Sequence, residues 1–155
     1  MSKVAKVTSR AGSSRQSSSP QGCTNFKLRQ LTRLVSQHCE PHFAESGLKT
    51  TQYSLLAHID YLGPIAPGEL ARRMDLDAST LTRNLQPLIQ GGWVEMGPGD
   101  DARSRTVQVT PEGHAKRQVM KADWKRAQLA LNDKLGDERV LKLHALLDEC
   151  LELLR

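Results

Sequence analysis

The segment 78–90 combines small hydroxyl residues, an arginine and an amide at helical spacing. Its apolar residues recur at intervals of three and four, which predicts an amphipathic helix. The predicted buried face carries Leu81, Leu85, Leu88 and Ile89. The opposite face and its flanks carry Ser79, Thr80, Thr82, Arg83, Asn84 and Gln86. Small hydroxyls permit close approach to a major groove, and arginine can bond guanine O6 and N7 together. This face therefore predicts contact with double-stranded DNA, although it also fits an ordinary solvated helix.

A second basic feature lies in the polar turn that follows this helix. Residues 93–96 and 106–109 alternate apolar and polar side chains, which predicts the two strands of a hairpin. Arg103 and Arg105 at its tip suit a narrow minor groove, but the adjacent aspartates also fit a solvated loop with ion pairs. Residues 66–110 contain five basic and six acidic residues. The placement of charge, and not its amount, therefore favours DNA binding.

Helical periodicity and its interruption by glycine and proline define the elements that position these residues. Helices are predicted over 24–46, 51–62, 67–74, 78–90, 111–135 and 137–154. The predicted caps are Thr50, Asp77, Thr110 and Asp137. Pro41 should kink the first helix because it lacks a backbone donor. Two short helices followed directly by a hairpin form a winged helix-turn-helix, so the predicted fold is mainly α with a small β-hairpin wing.

The last predicted helix is apolar around well over half of its circumference. Its apolar residues are Val140, Leu141, Leu143, Leu146, Leu147, Cys150, Leu151, Leu153 and Leu154. A helix with this pattern cannot keep one whole side in water. We therefore expect a second subunit to cover it.

Composition excludes several other classes of protein. The 155 residues, 38% of them apolar, suit one domain with a modest core, and three cysteines argue against a secreted disulfide scaffold. Residues 1–21 carry four bases, seven serines and no acid, which predicts a disordered tail holding +4 of the net charge of +5. There is no phosphate-binding loop and no hydrolase motif, so neither an enzyme nor a cofactor is predicted.

Six stretches together resemble the MarR family of bacterial transcriptional regulators. They read GLKTTQY at 47–53, GELA at 68–71, LDASTLTR at 76–83, GWVE at 92–95, DARSR at 101–105 and VQVTPEG at 107–113. The last two are the most specific in combination, and the resemblance covers about residues 22–154.

The resemblance implies a cytoplasmic homodimer that is associated with the bacterial nucleoid when bound to DNA. Residues 22–46 and 111–155 would form dimerisation helices around a winged helix-turn-helix at 50–110. Family members bind palindromic operators and mostly repress, which predicts a repressor relieved by a small, aromatic ligand. Arg103 would enter the minor groove, while Asp101 with Arg105 would hold the wing in shape. An interaction adaptor without DNA affinity is the alternative.

The same resemblance predicts a small-molecule effector between the dimer base and the DNA-reading domain. The candidate ligand-binding residues are His38, His42, Tyr53 and His58, together with Arg117 or Lys121. Each of them also fits an ordinary position at the edge of a core.

The cysteines suggest a second class of effector. Cys23 lies near the start of the first helix, where some relatives sense hydroperoxides with a thiol, but no tyrosine precedes Tyr53 to support a thiolate. Cys39 and Cys150 lie in apolar patterns and are predicted to be buried. No metal site is predicted at the two histidines that flank Cys39, because Pro41 intervenes and no further ligand is clustered there.

Overall fold

The computed structural model describes residues 21–99 and 104–155. The predicted tail, apart from Gln21, and the wing residues Asp101 and Arg103 lie outside these ranges. The described elements are α1 (Thr24–Cys39), a 3-10 helix (Glu40–Ser46), α2 (Thr50–Leu62), α3 (Pro67–Arg73), α4 (Ala78–Gln90), β1 (Val94–Pro98), β2 (Arg105–Val109), α5 (Pro111–Leu135) and α6 (Asp137–Leu154).

The first helix is interrupted where the sequence predicts it. The α-helix ends at Cys39, and the chain continues as a 3-10 helix that holds Pro41 in its first turn. Gly47 ends this segment in the left-handed region, with φ of 72°. The tighter 3-10 winding accommodates the missing donor of the proline.

The helix α2 begins one residue earlier than predicted, and Thr50 is not its cap. Lys49 is the N-cap, with an extended backbone at φ −76° and ψ 157°. Its N–H donates to Oε1 of Gln52 at 2.8 Å, so the helix start is stabilised by Gln52. The helix then buries Leu55, Leu56 and Ile59.

The helices α3 and α4 form the predicted helix-turn-helix. The turn between them places Asp75 at φ 50°, and the N–H of Leu76 donates to the carbonyl of Ala71 at 2.9 Å. The predicted inward face of α4 is confirmed for Leu81, Leu85 and Leu88, which are all buried. It is wrong for Ile89, which is 38% exposed because it lies at the outer edge of the apolar stripe.

The two strands pair in antiparallel register from Val94 opposite Val109 to Pro98 opposite Arg105. The first strand begins one residue later than predicted because the N–H of Trp93 donates to the carbonyl of Leu88 and closes α4. Ile65 adds a short bridge to the hairpin by exchanging two backbone hydrogen bonds with Val107, at 3.0 and 2.8 Å. The wing is therefore joined to the segment that precedes α3.

The long helix α5 is anchored to the hairpin through Thr110, its confirmed cap. The Thr110 hydroxyl accepts from the N–H of Gly113 at 3.0 Å and donates to the carbonyl of Gly92 at 2.7 Å. The predicted cap Asp137 is wrong: Gly136 is the N-cap, and Asp137 is the first helical residue. Gly136, at φ 85°, ends α5 and begins α6, so it is the single residue between the two helices.

The core of the described part lies between α2, α4, α5 and the hairpin. Its fully buried side chains include Leu56, Ile59, Leu70, Val107 and Met120. α6 contributes Val140 alone to the buried apolar residues of the described ranges. None of the helices in those ranges is both long enough and apolar enough to cross a bilayer.

Candidate nucleic-acid interface

The side chain of Asp77 organises the start of α4. Its Oδ1 accepts from the Ser79 hydroxyl at 2.5 Å and from the backbone N–H of Thr80 at 2.8 Å. Its Oδ2 accepts from the Thr80 hydroxyl at 2.7 Å. The hydrogen bonds from Ser79 and Thr80 hold the pKa of Asp77 far below its usual range. The carboxylate is therefore ionised at neutral pH and acts only as an acceptor.

The predicted DNA-reading face of α4 is open to solvent. Ser79, Thr82, Arg83 and Gln86 are exposed, and Thr80 is half-buried beside them. The Thr82 hydroxyl donates to the Ala78 carbonyl, four residues earlier, at 2.8 Å. Arg83 makes no ion pair within the ranges the structure covers. A polar face with an unpaired guanidinium, backed by three buried leucines, has the chemistry needed to read base edges.

The arginines of α3 are in a different situation. Glu69 binds Nη2 of Arg72 at 2.6 Å and Nε of Arg73 at 2.8 Å. Both bonds lower the pKa of Glu69. Because these arginines are held by their own helix, they are less available to a ligand than Arg83.

The described part of the wing places Arg105 at its outer end. Arg105 is exposed and lies opposite Pro98 in the hairpin. The Thr106 hydroxyl donates to the Pro98 carbonyl at 3.0 Å, and the Gln108 amide donates to Glu95 at 2.7 Å. These cross-strand bonds fix the strands that carry the tip.

A cavity of about 450 Å³ lies between α2 and α5. It is lined by Thr50, Tyr53, His58, Arg117, Lys121 and Trp124, among others. The structure thus brings together two of the predicted effector residues, Tyr53 and His58, with both predicted cations. Oγ1 of Thr50 and Nε of Arg117 are buried without a hydrogen-bond partner in the described part of the chain. The cavity is therefore lined by two cationic side chains.

The guanidinium of Arg117 also joins the cavity to an ion-pair network. Its Nη1 donates to Oδ2 of Asp60 at 2.6 Å, while Nδ1 of His114 lies 2.9 Å from Oδ1. Burial raises the pKa of Asp60, but His114 and Arg117 outweigh this effect and hold the pKa below its usual value. Asp60 and His114 were not identified as functional residues from the sequence. A lone carboxylate within the apolar helix α2 was the signal that could have identified Asp60.

The other two predicted effector residues lie elsewhere. His38 and His42 are half-buried and contact each other edge to face, with ring centroids 6.3 Å apart. They are not among the residues that line the cavity. No group of three or more metal-ligating side chains occurs in residues 21–99 and 104–155.

The three cysteines differ in their surroundings. Cys39 is buried as predicted, and burial raises the pKa of its thiol. Cys23 is exposed. Cys150 is exposed in the single chain, so its predicted burial is wrong, because α6 has solvent where the prediction placed a packing partner.

Exposed large apolar side chains are most numerous on α6 in the described part of the chain, and α1 and α5 carry three each. On α6 they are Leu141, Leu146, Leu151, Leu153 and Leu154, and on α1 they are Phe26, Leu28 and Leu34. Soluble monomers rarely expose this many large apolar residues on neighbouring elements. This surface has the character of an interface.

The helix-turn-helix, the hairpin and the exposed polar face of α4 define a winged helix-turn-helix protein. Residues 46–104 match the family model described as the MarR family. The chain is also similar to the Mycobacterium tuberculosis transcriptional regulator MosR solved in complex with DNA. The identity is 32%, with 86% of this chain and 99% of MosR covered and a TM-score of 0.72. The chain belongs to the MarR family.

Further relatives agree with this assignment. A mutant of Escherichia coli MarR complexed with operator DNA has 25% identity and a TM-score of 0.73, with 82% of this chain and 92% of that one covered. Salmonella typhimurium MarR is 34% identical over 54% of this chain and 56% of its own length. Bacillus subtilis YwoH, named as an HTH-type transcriptional regulator, is 29% identical over 58% and 66%. The chain thus spans less than two thirds of the length of either of these two curated relatives.

Proposed function

We propose that this chain is a homodimeric repressor that reads a palindromic operator with α4 and the wing. The observation that carries the proposal is the exposed polar face of α4, where Arg83 has no ion pair in the described part of the chain and buried leucines lie behind it. The DNA-bound state of MosR and of the E. coli MarR mutant supports the same use of the fold here. α4 would enter the major groove with Ser79 and Thr80 at its leading end.

The wing would contact the adjacent minor groove. Arg105 is exposed on β2, and Arg103 precedes it by two positions in the sequence. A guanidinium in a narrow minor groove is attracted by the groove's negative potential and so senses its width. Asp101 would fix the shape of this tip.

The dimer would form through residues 22–46 and 111–155. Residues 50–110 would form the winged helix-turn-helix that binds the DNA. The exposed leucines of α6 and the apolar residues of α1 support this division. A two-fold dimer presents two copies of α4, so the operator should contain two half-sites related by symmetry.

The removal of Arg83 tests this proposal. A duplex selected in vitro from a random library with the wild-type protein serves as the probe, and a scrambled duplex gives the non-specific affinity. Arg83→Ala should weaken binding to the selected duplex by about 1–3 kcal/mol per half-site and relax the preference at one base position. Fluorescence anisotropy across a salt series measures both affinities.

The control is Lys49→Ala, which removes an exposed cation at the start of α2, outside α4, the wing and the proposed dimerisation segments. It should bind like the wild type. If Arg83→Ala binds both duplexes like the wild type, α4 is not the reading surface, and an interaction adaptor becomes the better account.

The cavity between α2 and α5 is the proposed effector site, and repression would be relieved by a small aromatic acid. Arg117 and Lys121 supply positive charge, and Tyr53 and Trp124 supply rings. The cavity lies where α5 passes from the winged helix-turn-helix to the proposed dimerisation helices. A ligand in the cavity can therefore change the relative position of the two copies of α4.

Benzoate and phenol are the probes for this site. Benzoate should release the selected duplex, and Lys121→Met should need about tenfold more benzoate because one charge-assisted hydrogen bond is lost. Phenol has an aromatic ring but no carboxylate, so it tests recognition of the ring separately from recognition of the charge. Lys134→Met, on an exposed part of α5, is the control. Equal release of DNA from all three proteins, or from none, contradicts the assignment of this cavity.

A further inference from the structure

We infer that Ser79 and Thr82 present hydrogen-bond acceptors to the DNA and therefore read exocyclic amines, namely adenine N6 or cytosine N4. The inference rests on the proposed function, because it takes α4 as the reading helix. It adds the direction of two hydrogen bonds between protein and DNA. The residue types alone leave this direction open, since a hydroxyl can donate or accept.

The single proton of the Ser79 hydroxyl is already committed inside the protein. The hydroxyl lies 2.5 Å from Oδ1 of Asp77. Two donors from Thr80 also reach this carboxylate, and the three bonds keep it ionised. A carboxylate cannot donate, so in this contact the Ser79 hydroxyl must be the donor. Its lone pairs remain available on the exposed side of the helix.

The proton of Thr82 is committed in a second and independent way. Its Oγ1 donates at 2.8 Å to the carbonyl of Ala78, which cannot donate in return. Thr82 is exposed on the same face as Ser79. On its exposed side, the Thr82 hydroxyl can therefore also act only as a hydrogen-bond acceptor.

Arg83 has the opposite polarity. Its guanidinium carries only donors, and it lies on the same exposed face without an ion pair in the described part of the chain. In the major groove, guanine offers two acceptors, whereas adenine N6 and cytosine N4 are donors. The face thus fits a half-site in which base-edge amines lie beside a guanine. Redirecting a hydroxyl proton to a base acceptor would break a bond within the protein.

Single-atom changes in the DNA test this polarity. The probe is the duplex selected with the wild-type dimer, in which each adenine is replaced in turn by purine and each cytosine by 2-pyrimidinone, so that one major-groove amine is lost at a time. At two positions of each half-site, the wild type should lose about five- to tenfold in affinity, the value of one hydrogen bond. Replacement of guanine by 7-deazaguanine probes Arg83 in the same series.

The protein variants assign each amine to its hydroxyl. Ser79→Ala and Thr82→Val should bind the parent duplex about five- to tenfold more weakly per half-site, and each should become insensitive to the loss of one particular amine. Thr51→Val, an exposed threonine on α2 outside the reading helix and the proposed dimerisation segments, should keep the full wild-type pattern.

Asp77→Gly separates the two hydroxyls, because glycine still serves as an N-cap but offers no carboxylate. The Ser79 hydroxyl can then donate as well as accept, so the preference for an amine over a base-edge acceptor at its position should fall below about twofold, while the preference at the Thr82 position persists, since the Thr82 proton goes to Ala78. Circular dichroism and the melting temperature verify that α4 is still folded.

Two results would overturn the inference while the proposed function stands. One is that amine loss costs the same in Ser79→Ala and Thr82→Val as in the wild type. The other is that these variants become insensitive to 7-deazaguanine instead, which would mean that the hydroxyls donate to N7. If no duplex is enriched in the selection, the proposed function itself fails, and the inference falls with it.

Discussion

At the scale of single residues, Asp60 has the most consequential environment in the described core. Its side chain is only 7% exposed, yet it is satisfied by Arg117 and His114 from α5. Removing a buried charged partner leaves the remaining groups poorly compensated. Arg117 also lines the cavity, so a single guanidinium connects the proposed effector site to the contact between α2 and α5.

Replacing Asp60 tests this role. Asp60→Asn should lower the free energy of unfolding by about 1–3 kcal/mol at neutral pH, because two hydrogen bonds to a charged group are weakened. The folded-state pKa of Asp60 is below its unfolded value near ~3.9, so its contribution is present above that pH and is lost as pH falls through the folded-state pKa.

Urea denaturation of wild type and variant between pH 2.5 and pH 7 measures this difference. Asp133→Asn, at an exposed position on α5, is the control. A difference in unfolding free energy that grows as the pH falls below ~3.9 would contradict the network as described.

At the scale of elements, the junction between the hairpin and α5 has little room for change. A Cβ atom on Gly113 would clash with the carbonyl oxygen of Trp93 and would lie 2.8 Å from a methyl carbon of Val109. Gly113 therefore permits the first turn of α5 to pack directly on the end of the wing. The angle between wing and helix depends on this contact.

Gly113→Ala should destabilise the fold by about 1–3 kcal/mol, because the clash involves backbone atoms. Gly68→Ala in α3 is the matched control, since a Cβ atom on Gly68 would have no neighbour within 4 Å and the φ of this residue is not positive. That control should be neutral or slightly stabilising. Thermal unfolding of both variants checks the prediction, and equal melting temperatures would refute it.

Helix starts with capping side chains were predictable from the sequence, as Asp77 and Thr110 demonstrate. Lys49 was not, because its backbone N–H is held by Gln52 and its own side-chain type gives no capping signal. Asp137 was misassigned since a glycine in the left-handed region can serve two helices at once. The pairing of Asp60 with Arg117, 57 positions apart, depends on tertiary packing and has no local pattern.

At the scale of the whole molecule, the exposed apolar surface of α6 is the feature that favours a dimer over a single chain. The sequence predicted its broad apolar surface, and in the structure that surface is exposed, including Leu141, Leu146 and Leu153. Cys150 was predicted to be buried, but it faces solvent for the same reason. The proposed dimer would cover this surface and would hold two copies of α4 at a fixed separation.

The most direct test of this account is the mass of the protein–DNA complex, measured by sedimentation velocity. The wild type should sediment as a dimer alone and as one dimer on one selected duplex. Leu146→Lys, which places a charge on the exposed face of α6, should shift the protein toward monomer and weaken specific binding by at least about tenfold. Tyr61→Lys, at a still more exposed aromatic position on α2, should remain a dimer and bind like the wild type. A wild-type monomer that binds the selected duplex with full affinity would contradict the account.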